Sequence, residues 1–171
     1  MSTVLIIDDA RIMRVVLKDI LQKHCEFEKA NIYEAAGGKD GIAQYKRVRP
    51  EVVLCDIKML DMNGIDVVKY LMEYDPSAKI IMVTSSADKN DVRACMAAGA
   101  MDYIIKPPSV ERVKTAIENI IHYTVTDDSP AAYSMPKKSP DITQDSLVDE
   151  NAKLKEEIEL LKKQLAEKND E

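Results

Sequence analysis

Lysine and arginine are nowhere gathered into a stripe in this sequence. Phosphate backbones are bound by clustered cations, so the missing stripe and a formal net charge of −6 argue against a nucleic-acid partner. Long apolar runs are missing too. The first run, Val4-Leu5-Ile6-Ile7, is far shorter than the roughly 20 residues a membrane span requires, and nothing basic precedes it as in a secretory signal. No membrane partner is expected. Cysteine is sparse: Cys25, Cys55 and Cys95 are odd in number, sit at no metal-binding spacing, and in two cases lie inside apolar patterns. Buried free thiols in a reducing cytoplasm are the expectation. Neither a DNA-binding helix-turn-helix nor a catalytic output domain is recognisable.

What is present is organised around Asp56, which closes the apolar run Val52-Val53-Leu54-Cys55 and opens a loop ending in Asn63-Gly64. Such a run reads as a buried parallel strand with a charge at its carboxyl end. Three more runs end in matching chemistry: Val4-Leu5-Ile6-Ile7 at Asp8-Asp9, Ile80-Ile81-Met82-Val83 at Thr84-Ser85-Ser86, and Tyr103-Ile104-Ile105 at Lys106-Pro107. In open α/β sheets the carboxyl ends of the strands frame one crevice, where ligands bind. Each signal alone is weak, since an Asp-Asp pair or a Lys-Pro usually marks a cap or a turn. Together they point to one site.

At 171 residues, 46% hydrophobic and 32% charged, the chain can bury one domain and carry an appendage. Strand patterns over residues 3–7, 31–34, 52–55, 79–83 and 101–105 alternate with helix patterns over 11–24, 38–48, 65–74, 88–98 and from Ser109 onward. The first helix repeats Met13, Val16, Leu17, Ile20 and Leu21 at helical spacing, one buried stripe. Pro50 is expected to end the second helix. The fourth offers only Val92, Cys95 and Met96, so weak packing and mobility are expected there. Gly99 suits a helix C-terminus, and Ser109 can cap the last helix. Five βα units predict one doubly wound sheet.

Asp8-Asp9, Asp56, Thr84 and Lys106-Pro107, at these spacings, resemble the receiver domain of two-component response regulators. The likeness covers roughly residues 2–123 and implies a flavodoxin-like (βα)5 sheet with strand order 2-1-3-4-5. It implies a phosphoryl group accepted on Asp56 from a histidine kinase or histidine phosphotransfer protein in a phosphorelay, and an unknown downstream protein as target. The chain would not be an enzyme in the ordinary sense but a self-catalysing phosphoacceptor. Mg²⁺ would be held by Asp8, Asp9, Asp56 and the Lys58 backbone carbonyl. Lys106, the Thr84 hydroxyl and the Ser85 backbone N–H would meet the phosphoryl oxygens, Tyr103 would be the switch aromatic, and Gly64 and Pro107 would be structural.

Elementary chemistry agrees with that reading. A carboxylate takes a phosphoryl group only where the added charge is neutralised, which calls for an oxygen-loving divalent cation and a fixed ammonium. Crowding three carboxylates should also raise the pKa of at least one in the metal-free protein. Two departures from the family pattern stand out. Leu60 occupies a place where many receivers carry proline, so its loop is expected to be looser. Lys58 and Ser86 occupy positions the family uses to tune dephosphorylation, although a solvated lysine is the commoner outcome.

A receiver-shaped dimerisation scaffold that never turns over phosphate is the alternative, but a scaffold needs no such charge cluster. A haloacid-dehalogenase-like phosphatase would place its nucleophile on the first strand as D-x-D, and this chain has adjacent Asp8-Asp9 and no evident cap domain.

After the receiver-like region the character changes. Residues 124–145 hold Pro130, Pro136 and Pro140 among polar residues, a flexible linker spanning about 25 Å. Residues 146–171 read as a coiled-coil helix: Leu147, Leu154 and Leu161 fall at d, and Asn151, Ile158 and Leu165 at a. That choice favours a parallel homodimer. The bland alternative is one amphipathic helix lying on another surface.

Overall fold

The computed structural model describes residues 2–85 and 89–121. The expected linker over 124–145 and the dimerisation helix with Leu147, Asn151, Leu154, Ile158, Leu161 and Leu165 lie outside the described residues, as does Ser86.

Five short strands alternate with five helices: β1 Val4–Ile7, α1 Arg11–His24, β2 Ile32–Ala35, α2 Gly38–Val48, β3 Val52–Asp56, α3 Gly64–Tyr74, β4 Ile80–Thr84, α4 Lys89–Ala98, β5 Asp102–Ile105 and α5 Val110–Ile121. The strands are parallel in the order β2-β1-β3-β4-β5, as the sequence predicts. Every residue of β1, β3 and β4 is buried. These strands have helices on both sides, which is why they read as continuous apolar runs rather than alternating ones. On one face α1 packs against α5; on the other α2, α3 and α4 pack in succession. The chain leaves β1 for β2 on one side and returns to β3 on the other, so the order reverses between β1 and β3, where a crevice opens.

Helix ends follow local chemistry, with one surprise. Asn63 caps α3, its side chain accepting from the Ile65 N–H at 2.8 Å, and Ser109 Oγ accepts from Arg112 N–H at 3.2 Å. Gly99 follows α4 at φ +111°, a conformation glycine adopts without strain. At the end of α2, however, Arg49 itself turns left-handed at φ 50°, one residue before Pro50. The stop is therefore a C-cap that the proline follows. Helix α4 does bury Val92 and Cys95, with Met96 partly covered.

Strand ends differ from the apolar pattern in an informative way. The ladder carries β3 through Asp56, which faces Val83, and β4 through Thr84, which faces Ile105. Both polar residues belong to the sheet rather than to the loops after it. Strand β2 starts one residue later than expected because Lys29–Asn31 forms a 3-10 turn. Cys55 and Cys95 are buried, while Cys25 is only partly so. No helix among the described residues is long and apolar enough to cross a membrane.

Candidate functional site

Four strands deliver the site. Asp8 and Asp9 follow β1, Asp56 ends β3, Thr84 ends β4 and Lys106 follows β5. Because all four strands run the same way, these residues reach one rim together. Asp8, Asp56 and Thr84 are almost fully buried, and Asp9 is half-buried. One carboxylate oxygen from each of Asp8, Asp9 and Asp56 lies within 4.8 Å of the others.

The Lys106 ammonium bridges two of these acids, 2.7 Å from Asp8 Oδ2 and 2.9 Å from Asp56 Oδ2. The Lys106 backbone N–H donates to the Thr84 carbonyl at 2.6 Å, tying the two strand ends, and the Lys106–Pro107 bond is cis. Burial alone would disfavour the ammonium, but its bonds to Asp8 and Asp56 outweigh that and raise its pKa. The Asp56 pKa is raised as well, first by burial and in smaller part by the Asp8 charge, with Lys106 and a Lys58 backbone hydrogen bond pulling it down. Crowding was expected to be the main cause; desolvation is larger, because Asp56 sits inside the strand ladder.

Three carboxylates against one ammonium leave the cluster formally at −2. An all-oxygen, hard donor set with that deficit fits Mg²⁺, which takes carboxylates and keeps several waters.

The remaining expected residues take the following places. Lys58 is exposed, and its backbone touches the cluster through the hydrogen bond to Asp56. Ser85 is exposed next to Thr84. Tyr103 is partly buried against the core, opposite Met82 in the ladder. Gly64 donates its N–H to the Ile57 carbonyl at 2.8 Å, and a Cβ built on it would lie 1.9 Å from the Asp56 carbonyl oxygen. Only glycine lets α3 start this close to β3.

Several contributors escaped the sequence reading. Arg14 donates to the Asp8 carbonyl at 2.7 Å and pairs with Glu34 at 3.4 Å. A cation one turn into the helix after Asp-Asp was the only signal available. The Leu60 backbone N–H donates to Asp9 Oδ2 at 3.0 Å, which a sequence does not display. Asp61 accepts from the N–H groups of Gly38 at 2.9 Å and Lys39 at 3.0 Å, capping α2, whose own N-cap Gly37 has no side chain to do so. These bonds, the Lys39 one foremost, hold the Asp61 pKa below its ordinary value. The loop after Asp56 is thus tethered where it was expected to be loose.

The sequence matches the family model of the response regulator receiver domain over residues 4–118. It is 42% identical to the chemotaxis protein CheY of Thermotoga maritima over 117 residues, 68% of this chain and 95% of that protein. With CheY of Listeria monocytogenes it shares 37% over 118 residues, 69% of this chain and 97% of the relative. Among solved structures, a CheY-like receiver domain protein from Methanospirillum hungatei superposes with a TM-score of 0.63 at 30% identity, over 70% of this chain and 92% of that one. A CheX-CheY complex with BeF₃ and Mg²⁺ from Borrelia burgdorferi gives 0.65 at 27% identity, over 70% and 89%. With its fold, its acid cluster and these relatives, the chain belongs to the response regulator receiver domain family of two-component signalling.

Proposed function

We propose that this chain is a phosphorylation switch that accepts a phosphoryl group on Asp56 and changes its protein contacts in response. The observation that carries the reading is the Lys106 ammonium set between Asp8 and Asp56 beside a third carboxylate. In the transfer, an Asp56 carboxylate oxygen attacks the phosphorus of a phosphohistidine on a histidine kinase or histidine phosphotransfer protein. The P–O bond forms as the P–N bond breaks, and the imidazole leaves with the electron pair. Asp8, Asp9, Asp56 and the Lys58 carbonyl would hold Mg²⁺, which supplies charge neutralisation at the phosphoryl oxygens. Lys106 contributes a positive charge already held beside Asp56, which offsets the negative charge of the arriving group. Thr84 and the Ser85 N–H would donate to the phosphoryl oxygens, drawing β4 toward the acceptor, and Tyr103 would reorient on β5. Water then removes the group, so the chain is a turned-over partner rather than an enzyme with its own substrate.

The co-occurrence of BeF₃ and Mg²⁺ with the Borrelia burgdorferi relative supports this reading, as does the likeness to chemotaxis proteins. Residues 146–171 would join two receivers as a parallel dimer. Acetyl phosphate with Mg²⁺ should add one phosphoryl group by intact mass, and Asp56→Asn should abolish it; a full signal on the variant would sink the assignment. Pull-downs with and without beryllofluoride would then identify the state-specific protein target.

A further inference from the structure

We propose that the backbone N–H of Leu60 is the positioning group for Asp9, and that it sets how tightly the acid cluster holds a divalent cation. This rests on the reading of Asp8, Asp9 and Asp56 as metal ligands.

The three carboxylates are not equally constrained. Asp8 is buried and gripped at both oxygens, by the Ala10 N–H at 2.9 Å and by Lys106 at 2.7 Å. Asp56 is buried in the ladder and gripped by Lys106 and the Lys58 backbone. Asp9 is half-buried, and its carboxylate is met by Leu60 N–H at 3.0 Å. A half-exposed carboxylate without such a donor samples several rotamers, and fixing it on cation binding costs entropy. The Leu60 amide removes that freedom in advance while leaving the other oxygen of Asp9 for the ion.

The donor itself is held firmly. Immediately after it, Asp61 is bound to the first turn of α2, and this close approach requires Gly37, where a Cβ would lie 2.7 Å from Asp61 Oδ1. Farther on, Gly64 N–H closes the loop onto the Ile57 carbonyl. The Leu60 side chain, by contrast, is 98% exposed and packs on nothing that could position Asp9. The residue's part in the site lies in its N–H. Proline, which many receivers carry here, has no N–H and cannot make this bond.

The full-length chain offers a direct comparison. Leu60→Ala keeps the N–H and removes the side chain; Leu60→Pro removes the N–H at a position where the family tolerates proline. Mg²⁺ affinity is read by calorimetry or by amide shifts, without any phosphodonor. Outer-sphere partners of metal ligands are typically worth 10–100-fold in affinity, and for a half-exposed ligand the low end applies. Leu60→Ala should bind within about twofold of the parent chain, and Leu60→Pro about tenfold more weakly. Equal affinities for the two variants overturn the inference. A parent chain that takes up no Mg²⁺ overturns the metal-site reading itself, a distinguishable result. Should Leu60→Pro fail to fold, amide exchange decides. The Leu60 amide should be protected in the parent and exchange freely in Asp9→Ala, and equal exchange in both overturns the bond's role.

Discussion

Lys106 stands 2.9 Å from Asp56 Oδ2 while also holding Asp8, so one cation serves two buried acids. Removing it strands both. Lys106→Met should destabilise the metal-free protein by about 3 kcal/mol at neutral pH, the typical cost of leaving a buried charge unpaired. It should also push the Asp56 pKa higher still. Added Mg²⁺ should restore much of the loss. Urea denaturation with EDTA and with Mg²⁺ measures both, and equal destabilisation in the two conditions would contradict the shared role.

The raised pKa of Asp56 fixes the direction of a pH effect. A carboxyl whose folded pKa lies above its unfolded value binds protons more readily when folded, so stability falls as pH rises through the interval between the two. In EDTA, acidification through the raised Asp56 pKa should therefore add stability, until the ordinary carboxylate range is reached and other carboxylates begin to protonate. Asp56→Asn should raise the melting temperature at neutral pH and flatten that slope. Lys106, also raised, acts at the other end: its contribution is present below its unfolded pKa and is lost as pH climbs through the folded one, in the alkaline range.

Gly64→Ala should disturb the site from behind. The added methyl would meet the Asp56 backbone, which has no free rotamer to give way, so a loss of about 3 kcal/mol or more is expected. Phosphorylation from acetyl phosphate should slow beyond what unfolding explains, because the displaced backbone is that of Asp56, the proposed acceptor.

Asp61→Ala removes the cap from α2 and should cost about 1 kcal/mol. Because the Asp61 pKa is depressed, its contribution is present above the unfolded carboxylate pKa and fades as pH drops through the folded value. A variant whose stability difference from the parent persists unchanged at low pH would argue against the carboxylate cap.

Deleting residues 146–171 should give a monomer that still takes a phosphoryl group on Asp56. Sedimentation of the truncated, unphosphorylated chain tests this: a stable dimer would mean that the C-terminal segment is not what joins two copies.

The strands were legible because apolar runs such as Val52-Val53-Leu54-Cys55 have no polar alternation, and the helices because Val16, Leu17, Ile20 and Leu21 recur with a helical period. The charged ends converged as a consequence of parallel topology. Strand limits at Asp56 and Thr84 were misjudged by one residue, since ladder hydrogen bonds continue past the last apolar side chain. Leu60 shows a deeper blind spot: its missing proline suggested slack, whereas its main-chain donor ties the loop to Asp9. Main-chain bonds carry no letter in a sequence. Arg14 was hidden for a related reason, since an arginine among helical polar positions looks like any solvated cation.

The residue before the proposed acceptor has a chemical consequence of its own. Acyl phosphates are cleaved readily by thiolates, and Cys55 is joined directly to Asp56 in the chain. Its side chain lies in the apolar core, on the opposite face of β3 from its neighbour because successive strand residues alternate. Its S–H points to the Asp56 carbonyl, 3.3 Å away, and burial pushes its pKa far above the usual thiol range. The nucleophile nearest in sequence is thus kept protonated and turned away, so a phosphoryl group placed on Asp56 would be out of its reach, and the lifetime of such a group should not respond to modification of Cys55.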